Sequence, residues 1–89
     1  MDTRQKLRDI AVSESGFIFD PYSGVTFTVN ETGRRILDAL KHGLDRDGVL
    51  ADLDEAFEQA SSADLDRDLE EFVQMLRHHG LVPKDFELA

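Results

Sequence analysis

Eighty-nine residues, 40% apolar and 33% charged, describe one small domain with room for one core. Nineteen acidic against ten basic side chains leave a net charge of −9, which repels phosphate backbones and anionic lipid and so sets nucleic-acid and membrane roles aside. The absence of cysteine removes disulfides, thiolate metal sites and cysteine nucleophiles together.

In chain order, Met1–Lys6 is polar and expected to fray. With no apolar stretch of signal-peptide or membrane-spanning length, the expectation is a cytoplasmic protein. Leu7–Val12 reads as a first strand, Ser13–Gly16 as a turn and Phe17-Ile18-Phe19 as a second strand. Next comes the most informative segment, Asp20-Pro21-Tyr22-Ser23-Gly24 followed by Val25-Thr26-Phe27-Thr28-Val29. Pro21 presets φ in the turn, and Gly24 is free to take the positive φ that closes it. The third strand then alternates strictly, with Val25, Phe27 and Val29 on one face and Thr26 and Thr28 on the other. Phe17 and Phe19 share a face opposite Ile18. Bulky strand residues default to the core, so an exposed phenylalanine would be the informative one.

At Asn30 the apolar period changes from two to about 3.6 residues. Asn30 is a suitable cap for a first helix carrying Ile36, Leu37, Leu40 and Leu44 on one face, with Gly43 as its stop. Asp45 caps a second helix with the stripe Val49, Leu50, Leu53, Ala56 and Phe57. Ser61 caps a third, whose narrow arc is Leu65, Leu69, Phe72 and Leu76. One rim of that arc carries Val73 and Arg77; the other carries Asp68, Met75 and His79. Gly80 ends the helix, Leu81 and Val82 fold back onto the core, and Lys84–Ala89 has no assigned structure.

The order β-β-β-α-α-α predicts an α+β fold: a three-stranded antiparallel meander followed by three helices, of winged helix-turn-helix kind. One domain spans 1–89, with its core at about 7–83 and flexible termini.

The Asp20-Pro21-x-Ser23-Gly24 turn, the alternating strand and Asn30-Glu31-Thr32-Gly33 before Ile36 resemble the PqqD family, the recognition elements of ribosomally made, modified peptides. Phe72-x-x-x-Leu76 before Gly80-Leu81-Val82 extends the likeness, which runs from about Ile10 to Val82. The resemblance implies a non-catalytic peptide chaperone. Such a protein binds the leader of a precursor peptide as an added strand and presents it to a modifying enzyme, often of the radical-SAM type. Carried onto this sequence, the peptide lies along Val25, Thr26, Phe27, Thr28 and Val29. Its pockets come from Leu69, Phe72, Val73, Leu76 and Arg77, with the Val73 rim favoured.

The residues agree with that role in part. An edge strand without Pro or charge is open to pairing. Leaders of this class often carry acids, yet only Arg34, Arg35, Arg67 and Arg77 are placed to meet them. A neutral or basic partner, or a role that has drifted, follows from that shortage. His78 and His79 point about 100° apart on a helix and make no chelating pair, so neither metal nor cofactor is expected. Glu70-Glu71 reads as a solvated face, and no nucleophile–base arrangement or phosphate loop is present. Two alternatives stand beside the peptide chaperone: an acidic docking subunit that binds no leader, and a winged-helix regulator. The oligomeric expectation is a monomer or a dimer paired through the free edge.

Overall fold

A computed structural model describes residues 3–88. The chain runs α1 (Thr3–Asp9), β1 (Ala11–Val12), β2 (Phe17–Phe19), β3 (Thr26–Thr28), α2 (Glu31–Lys41), α3 (Arg46–Ala56) and α4 (Ser62–His78). The three strands form one antiparallel sheet in the order β1-β2-β3. The meander and the three helices after it are as predicted, and a further helix precedes them.

That helix corrects the first predicted strand. Leu7 and Ile10 are three residues apart and both fully buried, which is a helical spacing rather than an alternation. Only Ala11 and Val12 extend, opposite Phe19 and Ile18. Two lysines tie this helix to the rest of the fold. The Lys41 ammonium donates to the carbonyls of Arg8 and Ile10, satisfying acceptors at the C-terminus of α1. The Lys6 ammonium donates to the Gly80 carbonyl, 2.9 Å away, just beyond α4.

The three predicted caps are all in place. Asn30 accepts from the Gly33 N–H at 2.8 Å, Asp45 from Gly48 at 2.8 Å and Ser61 from Asp64 at 3.1 Å. Each satisfies one of the amides a helix start leaves unpaired. The core joins Leu7, Ile10 and Ile18 to Ile36, Leu37 and Leu40 of α2, Val49 and Leu53 of α3, and the apolar arc of α4. Ala56, expected in the α3 stripe, is exposed. Leu81 and Val82 are buried as predicted, and the tail continues inward to bury Leu88. Arg46 reaches from the start of α3 to Asp66 and Glu70 of α4, and those carboxylates raise its pKa.

The sheet's faces reverse the aromatic expectation. Ile18 is fully buried, whereas Phe17 is 54% and Phe19 43% exposed. Ile18 sits opposite both Val12 and Phe27, so one inward residue per strand meets the helices. Phe17, Phe19, Thr26 and Thr28 lie on the outer face. No helix among the described residues is long and apolar enough to cross a membrane.

Candidate functional site

The Asp20–Gly24 turn is held by its own first residue. Asp20 is 1% exposed, and both carboxylate oxygens are engaged: Oδ1 accepts from the Tyr22 N–H at 2.9 Å and Oδ2 from the Ser23 hydroxyl at 2.8 Å. Its carbonyl accepts from the Gly24 N–H at 2.8 Å, and Gly24 takes φ +76°. A buried carboxylate is tolerated here because every strong acceptor finds a donor within the turn. The Tyr22 hydroxyl donates to Asp9, anchoring the turn to the end of α1. That bond holds the Asp9 carboxyl below its usual range and pushes the Tyr22 hydroxyl up.

The turn sets the register of β3. Phe17 pairs with Thr28, Ile18 with Phe27 and Phe19 with Thr26. The Asp20 N–H donates to Val25 O, and the Val29 N–H donates to Gly16 O, both at 2.9 Å. Hydrogen-bonded pairs alternate along an antiparallel ladder, so Val25, Phe27 and Val29 turn their main-chain groups to β2. Thr26 and Thr28 therefore turn theirs to the open edge. Gly16 makes this approach possible: its φ is +87°, and a Cβ there would collide with the Val29 carbonyl oxygen.

Side chains divide the same way. Thr26 and Thr28 are exposed, while Phe27 and Val29 are half-buried toward α4. The Phe27 ring stacks on His79 at the end of α4, with centroids 5.0 Å apart. Where β3 leads into α2, a groove of about 260 Å³ opens between the two elements and α4. Val29, Ile36, Phe72 and Met75 form its apolar lining, and Asp68 and Glu71 its charged wall.

The residues predicted for this site part company. Val25, Thr26, Phe27, Thr28 and Val29 lie together along the edge, and Phe72 reaches the groove. Leu69 and Leu76 are fully buried in the core. Val73 is 2% exposed and, with Arg77, Arg46 and Leu88, lines a different cavity on the tail side of α4. Arg77 Nε donates to the Phe86 carbonyl at 2.7 Å, which commits that side chain to the tail. The rim that meets β3 is instead the row Asp68, Phe72, Met75 and His79. Its spacing was visible in sequence, but nothing local marked which rim would face the sheet. Gly33 lets the start of α2 close on the end of β3, since a Cβ there would stand only 3.1 Å from the Val29 Cβ.

Comparison with family models matches residues 16–82 to PqqD, described as coenzyme PQQ synthesis protein D. Comparison with curated proteins and with solved structures finds no match. The matched span begins at Gly16, takes in the Asp20 turn, the open strand and the groove, and ends where Val82 closes the core. The chain belongs to the PqqD family.

Proposed function

We propose that this protein captures an extended segment of a precursor peptide as a fourth strand beside β3 and presents it to a modifying enzyme. Membership of the PqqD family supports a non-catalytic, accessory part in a biosynthetic system. The observation that carries the finer reading is the open edge of β3 beside an apolar groove. Among the described residues nothing pairs with the outward main-chain groups of Thr26 and Thr28, and the strand carries no charge, proline or bulge that blunts natural edges. An added strand gains affinity from the main chain and selectivity from alternate side chains, half of which would descend toward α4. Peptide, enzyme and protein would meet in the cytoplasm.

The test is an amide chemical-shift titration of labelled protein with short synthetic peptides covering the start of a candidate precursor. Shifts centred on Val25–Val29 and on Phe72, Met75 and His79 are expected. Shifts confined to surfaces away from β3 would refute strand addition.

A second reading rests on charge. Arg35 is engaged with Asp52, Arg46 with Asp66 and Glu70, and Arg67 with Asp64, so the remaining acids dominate the surface. A docking subunit that meets a basic enzyme through those acids, without a leader, would show binding that collapses as salt rises.

A further inference from the structure

The geometry points to a peptide with a lysine or arginine that enters the groove between β3 and α4, its stem on the apolar floor and its cation between Asp68 and Glu71. This rests on the strand-addition reading and adds the chemistry of the side chain recognised.

The groove is apolar below and acidic at its wall. Val29, Ile36, Phe72 and Met75 supply the floor. Asp68 and Glu71, three residues apart on one face of α4, are the only charged groups among the lining residues. Neither makes an ion pair among the described residues. The nearest basic neighbour in sequence, Arg67, is turned to Asp64 at 3.1 Å. An acidic or short polar side chain would leave one part of this groove unmatched. A long aliphatic stem ending in a cation matches both, because Lys and Arg lay their methylenes along apolar surface and keep the charge at the rim.

One feature opposes this. Asn30, Thr32 and Gly33 bring the N-terminus of α2 to the same groove, and a helix start carries about half a positive charge. Asn30 already accepts from the Gly33 N–H, which occupies one of the amides an anion would use. Two full carboxylates in the lining outweigh what remains. Glu31 and Arg34 line the adjoining pocket together, so their charges largely offset each other there.

The position follows from the ladder. A strand paired with Thr26 and Thr28 points alternate side chains toward α4. The one that passes Val29 lies over the groove, so a single position of the peptide is selected for charge. Its neighbours on either side face the outer surface of the sheet and are not.

The experiment is a selection from a displayed library of nine-residue peptides, run on the protein and on the Asp68→Asn/Glu71→Gln double variant. Binders are then mapped by amide shifts. Binders that map to β3 should carry Lys or Arg at one position, and a Lys-to-Glu change there should weaken binding roughly 5- to 10-fold, as expected for partly exposed ion pairs. The double variant should bind the same peptides with that preference gone. Binders that map to β3 without a basic preference, or with one the double variant keeps, would overturn this inference and leave strand addition standing. Binders indifferent to proline at both Thr26 and Thr28 would remove strand addition itself, and this inference with it. Both replaced carboxylates are at the surface and their substitutes are of equal size, so an unchanged amide spectrum elsewhere serves as the folding control.

Discussion

The Phe27 ring lies flat against the imidazole of His79, their planes 9° from parallel and their centroids 5.0 Å apart. This contact joins the middle of the edge strand to the C-cap of α4. Stacked pairs of this kind contribute about 0.5–1.5 kcal/mol beyond area burial. In urea unfolding, Phe27→Ala is expected to cost about 2 kcal/mol, because the ring is only half-buried. His79→Ala is expected to cost less. A double-mutant cycle should return a coupling of about 0.5–1.5 kcal/mol, and a coupling near zero would show that the two rings merely adjoin.

Proline scanning of β3 separates the open edge from the internal ladder. Thr26 and Thr28 direct their N–H groups outward, so proline there removes no bond to β2. Thr26→Pro and Thr28→Pro should keep a native circular dichroism spectrum and lose peptide binding. Phe27→Pro removes an internal ladder bond and should cost about 1–3 kcal/mol of stability, seen as a lower unfolding midpoint. Retained binding in both threonine variants would sink the edge-strand reading.

The two rims of α4 are distinguished by charge insertion. Val73→Glu buries a carboxylate and should cost about 3 kcal/mol or more, so any loss of binding would reflect unfolding. Met75 is half-buried in the groove wall. Met75→Lys should leave the stability within about 1 kcal/mol of the parent and weaken peptide binding, as read by titration.

Gly16→Ala addresses the turn that brings β2 against the end of β3. The positive φ and the collision with the Val29 carbonyl act together, and a loss of about 1–3 kcal/mol is expected. Amide shifts should move first at Val29 and Asn30.

The Asp9–Tyr22 bond makes a pH-dependent contribution with a definite sign. Asp9 has its pKa lowered from 3.8, so its contribution is present above that value and lost as pH falls through the lower folded pKa. Tyr22 has its pKa raised from 10.0, so its contribution is present below that value and lost as pH rises through the higher folded one. Tyr22→Phe should be slightly less stable than the parent at neutral pH, with the difference vanishing at both extremes. A difference that persists in strong acid would assign the effect to packing.

Much of this protein could be read locally. The three caps depend on one side chain and an amide three residues on, and the Asp20 turn on contacts within five residues. The strict alternation of Val25–Val29 placed the edge strand, with Phe27 and Val29 half-buried on its inner face and Val25 exposed at its start. The open edge follows from the meander order, in which β3 is the last strand.

Other features required the whole fold. A period of two defines two faces for Phe17-Ile18-Phe19 but not which is inward; pairing of Ile18 between Val12 and Phe27 decided it. An apolar arc on α4 has two rims of similar character. The sheet took the Met75 and His79 side, and the returning tail took Val73 and Arg77. The first helix escaped a local reading because carbonyls at its C-terminal end are satisfied by Lys41, and its Lys6 reaches Gly80, 74 residues away. Sequence alone determined the last two strands, the three helices after them and their caps, because those rest on interactions a few residues long. The tertiary structure decided which side of each element is buried, since that is settled by what else competes for the same surface.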